Sequence, residues 1–211
     1  MPVRTRLLDD EITYTGAQLR SGWIAEVSGL AGDAAVAFVG RCDVAREHMV
    51  DTVDLEAGAR IFSPRMVHII IEHPGLDLTH ITVRQRLLIA IAGELINTHL
   101  GETLVRREGD DLYLRDRKLS VSVATVSAPG PGTAGLPAGR VEGFSLPSPS
   151  PAGSGLIHAG FNLRGEGAPV AAIGLEELGL GARPFAERLL AAYAHELDSS
   201  ESAALKVKRV R

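Results

Sequence analysis

The chain lacks the features that mark several classes of protein. It has 211 residues and a single cysteine, Cys42, so an intramolecular disulfide framework is excluded and a reducing compartment is favoured. We interpret Cys42 as a small buried residue, because no base that could activate a thiol is recognisable. The longest apolar stretches contain charges and are too short for a membrane span. Charged side chains interrupt the N-terminus before any apolar run, so we expect no secretory signal and a cytoplasmic location.

The charge balance gives no general attraction to nucleic acid. The 22 Lys and Arg residues are outnumbered by 26 Asp and Glu residues, a formal net charge of −4 at pH 7, and such a surface does not attract polyanions. The tail 205–211 is basic, and we interpret it as an edge strand with protective charges; a polyanion-binding arm is the alternative. His68 and His73 lack the spacing of zinc ligands, so no metal site is predicted.

Apolar periodicity predicts the main elements. Apolar residues at helical spacing predict helices at about 15–29, 82–99 and from Pro184 to 198–200. Short apolar or alternating runs predict strands at 34–39, 66–72, 156–163 and 169–173. Residues 63–65 are predicted to form a turn. This order is not that of a doubly wound sheet, so we predict an α+β (two-layer α/β) fold with a mostly antiparallel mixed sheet and helices on one face.

Residues 128–155 differ in composition from the rest of the chain. They hold six of the eleven prolines and seven of the 23 glycines, a composition that does not support a regular core element. We predict a long loop here, either an insertion or a lid over a site. The whole chain, 1–211, is expected to form a single domain around it.

A charged hairpin is predicted across 109–125. Period-two alternation in its second strand places Lys118, Ser120 and Ser122 in a row on one face. Two interpretations stay open. The row is the solvated face of a half-buried strand, or it is the floor of a pocket. In the pocket, Lys118 would meet a phosphate as a point charge and the hydroxyls would form hydrogen bonds to a ligand.

Three further residues are candidates for a site. Arg41 follows a glycine at the end of a buried strand, where small ligands often bind; a surface ion pair is the alternative. Gly58 lies among small residues that allow a backbone or a ligand to approach closely. His68 lies in an apolar strand, either as a hydrogen-bonded core residue or as an acid or base.

Four segments resemble, in the same order, segments of lipoate- and biotin-protein ligases, and together they cover about residues 15–175. They are 40–43 (Gly-Arg-Cys-Asp, like Gly-Arg-Asn-Gln), 57–62 with the strand 66–71 (like Gly-Gly-Gly-Ala-Val-Tyr-His and its strand), 111–120 (like Asn-Asp-Leu…Lys-Ile-Ser-Gly) and 157–163 (like His-Gly-Thr-Leu-Leu-Leu-Asn). The whole chain also resembles a short prokaryotic family that is related to these ligases and has no characterised function.

The resemblance implies a fold and a reaction. In that superfamily a carboxylic acid attacks the α-phosphate of ATP, and the acyl-adenylate passes its acyl group to a carrier lysine. We therefore expect a biotin/lipoate-protein ligase-like fold and an ATP-dependent ligase or acyltransferase that acts on a small carboxylic acid. ATP and Mg²⁺ are the implied cofactors, a carrier-protein lysine is the implied acceptor, and a homodimer is left open. The alternative is a non-catalytic module that holds a nucleotide or a small acid.

The resemblance also implies roles for individual residues. Lys118 would supply fixed positive charge beside the phosphate and the acyl carbonyl. Gly58 would allow the close approach of the ligand. Arg41 and Arg60 are basic residues near matched positions and would assist. Asp111 would orient the nucleotide or its Mg²⁺.

The sequence offers one more candidate ligand-binding residue, and it differs from the ligase sequences at two places. His158 lies in the matched strand and joins His68, Ser120 and Ser122 as a ligand-binding candidate. Val121 stands where the ligases have a glycine after their Lys-x-Ser sequence. Asp54 and Glu56 stand where the ligases have paired arginines. Both differences would make an acyl-binding tunnel narrower or change the charge of its lining.

Overall fold

The computed structural model describes residues 2–127 and 153–207. Within these ranges the chain forms eight strands and four helices, with 3₁₀ turns at Arg46–His48 and Glu176–Leu178. The strands are β1 (Arg4–Leu7), β2 (Ala34–Asp43), β3 (Phe62–Pro74), β4 (Val105–Glu108), β5 (Asp111–Leu114), β6 (Arg117–Lys118), β7 (Ser120–Val126) and β8 (Ser154–Asn162). The helices are α1 (Trp23–Ser28), α2 (Thr52–Glu56), α3 (Leu78–Leu100) and α4 (Ala182–Leu205).

The strands form two sheets. Five of them lie in the order β1-β2-β3-β8-β7; β1 is parallel to β2, and every other neighbouring pair in this sheet is antiparallel. The remaining three form a small antiparallel sheet, β4-β5-β6. The predicted mostly antiparallel mixed sheet in an α+β fold is confirmed.

The five-stranded sheet is buried on both faces. Residues such as Ala37, Ile69 and Ile157 pack against the long helices α3 and α4 on one face. Phe38 packs with Trp23 of α1 on the other face. Two covered faces explain why the central strands are apolar along nearly their whole length. The two long helices lie on one face, as predicted, and only the short α1 lies on the opposite one among the described helices that contact this sheet's core.

The predicted turn at 63–65 is wrong, because these residues belong to β3. The register between β2 and β3 pairs Gly40 with Met66 and Cys42 with Ser63. Two residues of β3, one of them Pro64, therefore stand opposite a single residue of β2. A bulge of this kind accommodates proline inside a strand.

Other boundaries also differ from the predictions. The strand predicted at 169–173 is reduced to one bridge, between Lys118 and Ala172. The helix predicted from about residue 15 begins only at Trp23, although Gln18 accepts a hydrogen bond from the Thr15 N–H (3.0 Å), as in a capping box.

The predictions at the loop and tail are tested only in part. Residues 128–152 of the predicted loop lie outside the described residues, and its end at 154–155 belongs to β8 instead. The last helix runs on to Leu205, so the edge strand predicted for 205–211 does not begin there. Residues 208–211 lie outside the described part of the chain. Across the described ranges no helix has the length and apolarity that a membrane crossing requires.

Gly40 provides a test of this packing. A Cβ atom at Gly40 would stand 1.9 Å from the Ile12 carbonyl oxygen, so Gly40→Ala must displace the segment that leads to Tyr14. We expect the free energy of unfolding, measured with denaturant, to fall by about 1–3 kcal/mol. Gly181→Ala is the control, because a Cβ there meets Pro184 at an ordinary 3.4 Å. Equal stability of the two variants would contradict this packing.

Candidate functional site

The two sheets meet at Leu119, which lies between β6 and β7. Its N–H donates to the Leu112 carbonyl oxygen of the small sheet (2.8 Å), and its carbonyl accepts from the Asn162 N–H of the large sheet (3.0 Å). Its side chain is fully buried. The chain therefore changes sheets at this residue while all its main-chain groups stay paired.

Lys118 is held at this junction by its own main chain. Its N–H donates to the Ala171 carbonyl oxygen (2.9 Å), and its carbonyl accepts from the Ile173 N–H (3.0 Å). The residue pairs with Tyr113 in the small sheet. These two bonds to the segment 171–173 and the pairing with Tyr113 fix the backbone of Lys118, so its side chain starts from a fixed point.

A cavity of about 350 Å³ opens beside Lys118, on the sheet face that carries Tyr14. Strands β7 and β8 form its floor, and the segment from 44 to 53 forms a wall. The residues that line it are Tyr14, Val44, His48, Met49, Val50, Asp51, Val53, Ile61, Asp110, Asp111, Lys118, Val121, Ser122, Val123 and His158. Four of the predicted site residues are thus brought to one cavity: Asp111, Lys118, Ser122 and His158.

The predicted row of Lys118, Ser120 and Ser122 is not formed. Ser120 is fully buried, and its hydroxyl oxygen accepts a hydrogen bond from the Leu112 N–H (2.9 Å). The row fails because Lys118 and Ser120 belong to different sheets, separated by the change at Leu119. Ser120 therefore joins the two sheets and does not face the cavity.

Ser122 lies at the edge of the cavity and is engaged by two groups. Its hydroxyl donates to the Asp110 carbonyl oxygen (2.6 Å) and accepts from the Gln85 side-chain amide (3.0 Å). Gln85 also donates to the Asp110 carboxylate (3.0 Å). This network fixes the turn before β5 against α3.

Lys118 and Asp111 form an ion pair at the cavity wall. The ammonium nitrogen lies 2.5 Å from a carboxylate oxygen, and the two side chains are 27% and 19% exposed. Asp51 and Asp110 line the same cavity, so three carboxyl groups and the Lys118 ammonium share its lining. Over the described residues no group of three or more His, Cys, Asp or Glu side chains is placed to hold a metal ion.

Two buried histidines stand behind the cavity floor. His68 Nε2 lies 3.3 Å from the Gly40 carbonyl oxygen, and His68 Nδ1 lies 3.0 Å from His158 Nε2. A carbonyl oxygen only accepts, so His68 Nε2–H donates to Gly40 and His158 Nε2–H donates to His68. His158 Nδ1 then carries no proton, and the Tyr14 ring stacks on the same imidazole at 3.6 Å between centroids.

Both imidazoles are neutral. Burial lowers the pKa of His68 to about 4, and burial together with the neighbouring His68 lowers the pKa of His158 well below its usual value. His68 is thus a hydrogen-bonded core residue, the first of its two predicted interpretations. It orients His158, which is the one of the pair that lines the cavity.

The remaining candidates lie at the rim or outside it. Arg41 pairs with Asp43 (2.6 Å), so it forms the surface ion pair that was the alternative. The guanidinium groups of Arg41 and Arg60 both lie on the Phe62 ring, at 4.9 and 4.5 Å from its centroid. Gly58 and Arg60 line a cavity of about 210 Å³. The φ of +64° at Gly58 accounts for the glycine, since a Cβ there would meet no described atom within 4 Å.

A smaller cavity of about 130 Å³ adjoins Lys118 on the side of Cys42. Its lining comprises Cys42, Ala59, Arg60, Ile61, Phe62, Ser63, Met66, Lys118, Val121, Asn162, Ala168, Pro169 and Val170. Burial and the charge of Asp43 raise the pKa of the Cys42 thiol to about 12. A thiol with this pKa is no nucleophile at neutral pH, which agrees with its interpretation as a small buried residue.

Several cavity residues were missed from the sequence. Asp110 directly precedes Asp111 in the same turn, so the hairpin itself carried a signal for it. Tyr14, His48 and Asp51 reach the cavity from distant parts of the chain. Their segments have no recognisable motif, and only the tertiary structure brings them together.

The fold is similar to that of biotin- and lipoate-protein ligases. A biotin protein ligase from Aquifex aeolicus in complex with biotin and ATP matches with a TM-score of 0.52 and 10% sequence identity, over 92% of this chain and 70% of that chain. At this identity the similarity is one of fold.

The chain belongs to the family described as a domain of unknown function, DUF366, whose sequence profile matches residues 3–131. The uncharacterized protein MJ0805 of Methanocaldococcus jannaschii is 33% identical in a 202-residue alignment that covers 91% of this chain and 78% of that protein. A protein of unknown function from Pyrococcus horikoshi has a structure with a TM-score of 0.83 and 35% identity, over 99% of this chain and 100% of that chain.

The neutral histidine pair predicts a pH dependence of stability. An unfolded chain protonates each histidine near pH 6.5, whereas the folded pKa values are lower, so the unfolded state binds more protons below pH 6.5. The free energy of unfolding should therefore fall as the pH decreases from 6.5 toward 5, by up to about 1.4 kcal/mol per pH unit and histidine. Urea unfolding between pH 7.5 and 5 measures this.

Two variants isolate the contribution of His158. His158→Gln keeps an Nε2–H donor for His68 but does not titrate, so it should flatten the decline. His195→Gln removes an exposed imidazole of α4 and should leave the decline unchanged. A constant stability in the wild type over this range, or an equally steep decline in His158→Gln, would refute the neutral pair.

Proposed function

We propose that this protein is an ATP-dependent ligase that activates a small carboxylic acid as an acyl-adenylate beside Lys118. The observation that carries the proposal is the position of this lysine, which lines both the 350 Å³ and the 130 Å³ cavities. Adenylation requires two substrates to meet where fixed positive charge faces the developing negative charge. A lysine between two adjoining cavities suits that requirement.

The fold supports the same proposal. The biotin protein ligase of Aquifex aeolicus shares it and holds biotin and ATP, an acid and a nucleotide. We therefore assign the nucleotide to the larger cavity and place the carboxylic acid next to the Lys118 ammonium group. The carboxylate and the α-phosphate would then both lie within reach of one ammonium group.

The proposed reaction balances without a further reagent. A carboxylate oxygen of the acid attacks the α-phosphorus of ATP, the bond from that phosphorus to the bridging oxygen breaks, and pyrophosphate leaves. Lys118 stabilises the charge on the α-phosphoryl oxygens as a flexible point charge. Asp111, 2.5 Å from the ammonium nitrogen, orients it. In the second step the amine of a carrier lysine attacks the acyl carbonyl, loses a proton, and AMP leaves.

The acidic side chains fit Mg²⁺ that arrives with the nucleotide. This ion usually takes one or two carboxylates together with phosphate oxygens and is seldom held by the protein alone. Asp110 and Asp111 line the larger cavity and would supply the carboxylates. The ion would neutralise charge on the departing pyrophosphate.

The ion pair supports a second candidate, a module that holds a nucleotide or a small acid without chemistry. An arriving phosphate must share the Lys118 ammonium with Asp111, which already lies 2.5 Å away. An ammonium group shared between Asp111 and a phosphate is compatible with reversible ligand binding as well as with transfer of an acyl group. Pyrophosphate release distinguishes the two candidates.

Lys118→Ala tests the ligase proposal. We expect ATP–pyrophosphate exchange, measured with a panel of short carboxylic acids, to fall by about 10²–10³-fold because the charge beside the phosphate is lost. Arg117→Ala is the matched control, since Arg117 is the exposed neighbour in β6. Circular dichroism and a melting curve establish that both variants are folded.

Two outcomes would count against the ligase. A folded Lys118→Ala variant that exchanges pyrophosphate at the wild-type rate removes Lys118 from the reaction. A wild-type protein that releases no pyrophosphate with any acid, but melts at a higher temperature with ATP or an acid, is the binding module.

A further inference from the structure

Ser63 carries a buried hydroxyl without a hydrogen-bond partner. The residue lies in β3 and is 2% exposed. Among the described residues its Oγ is the one buried side-chain nitrogen or oxygen atom that makes no hydrogen bond. Burying a hydroxyl without a partner costs free energy, so nearly all such groups are paired. An exception calls for an explanation.

The location of Ser63 suggests the explanation. The residue lines the 130 Å³ cavity that adjoins Lys118. It lies there through the bulge that sets Ser63 opposite Cys42. A polar group that is unpaired in the free protein and borders a cavity beside the proposed reaction centre is placed to pair with a ligand.

The remaining lining defines the chemistry of that ligand. Apolar walls come from Met66 and Val121. Polar groups come from Lys118, Arg60, Asn162 and Ser63. The Asn162 amide donates weakly to the Lys118 carbonyl oxygen (3.4 Å). The cavity thus offers two cations, Lys118 in its wall and the more exposed Arg60, together with a short apolar surface and neutral hydrogen-bonding groups.

The size of the cavity limits the ligand. At about 130 Å³ it has little more than a third of the volume of the cavity of about 350 Å³ that Lys118 also lines. A short acid is therefore accommodated more readily than an acyl group as large as biotin or lipoate. Val121, with a branched side chain on the shared wall of the two cavities, limits the space further.

We propose that the smaller cavity is the acid subsite and that it takes a short-chain carboxylic acid with a second polar group, such as a hydroxy acid, that pairs with Ser63. Lys118 binds the carboxylate, Met66 and Val121 contact the chain, and Ser63 gains its missing hydrogen bond. The assignment of the carboxylate to Lys118 rests on the proposed function.

The free protein supplies the first test. Ser63→Ala removes an unpaired buried hydroxyl, so the melting temperature should rise by about 2–4 °C. Ser120→Ala is the matched control, because Ser120 is a buried strand serine whose hydroxyl accepts from the Leu112 N–H; that variant should melt at a lower temperature. A lower melting temperature for Ser63→Ala would show that its hydroxyl is paired and overturn the proposal.

The second test measures binding by titration calorimetry with butyrate, 3-hydroxybutyrate, 4-hydroxybutyrate and octanoate. The wild type should bind one of the hydroxy acids about two- to tenfold more tightly than butyrate, the effect of one hydrogen bond, and should not bind octanoate. In Ser63→Ala this preference should vanish while butyrate binding is retained. Absence of binding by every short acid, equal affinities in the wild type, or a preference that persists in Ser63→Ala would overturn the subsite.

Pyrophosphate release, assayed on the same samples, separates this inference from the proposed function. If binding of the acid depends on Ser63 but no pyrophosphate is released, the acid subsite is supported and the ligase proposal is rejected. If pyrophosphate is released with octanoate and the Ser63→Ala substitution does not change this release, the ligase proposal is supported and the acid subsite is rejected.

Discussion

The placement of the candidate site depends on the pairing of Leu119 with two sheets at once. Its N–H bonds to the small sheet and its carbonyl to the large one, so the chain turns from β6 into β7 at a fixed point. This point determines where the Lys118 side chain emerges. It also places Val121 and Val123 on the cavity floor and Ser122 at its edge. A residue with no functional group of its own thus determines the geometry of the cavity.

The electrostatics around the cavity leave Lys118 as its central cation. The two imidazoles behind the floor are held neutral by burial, so they add no positive charge. Arg41 is committed to Asp43 outside the cavity. Asp111 balances the lysine directly. An anionic ligand therefore has one fixed point of attraction, Lys118, in a lining that also contains Asp51, Asp110, Tyr14 and the neutral His158.

The sequence predicts the fold better than it predicts the site. Long runs such as 82–99 have one dominant periodicity. The helix α3 could be predicted there because its apolar face repeats over many residues, so the pattern is recognisable without knowing which elements pack against it. The prediction that Lys118, Ser120 and Ser122 form a row is wrong because alternation assumes one continuous strand. A change of sheets at the single apolar residue Leu119 does not alter the alternating pattern, so the sequence does not reveal it. The turn predicted at 63–65 failed for a related reason, since a bulge admits a proline that usually ends a strand.

The cavity itself was only partly predictable. Asp111 and Lys118 are close in sequence, so a hairpin places them together. Tyr14 and Asp51 arrive through long-range packing, and Ser63 is distinguished by what it lacks in the folded state. No local pattern encodes an unpaired hydroxyl, because the missing partner is a property of all the surrounding elements.

The central claim is that Lys118 is the point where a nucleotide phosphate and an acid meet. A crystal structure of the protein with a non-hydrolysable ATP analogue tests it most directly. The account predicts an α-phosphate oxygen about 3 Å from the Lys118 ammonium nitrogen and the adenosine in the larger cavity. An analogue bound elsewhere, or a Lys118 ammonium that contacts Asp111 and no phosphate oxygen, would contradict it.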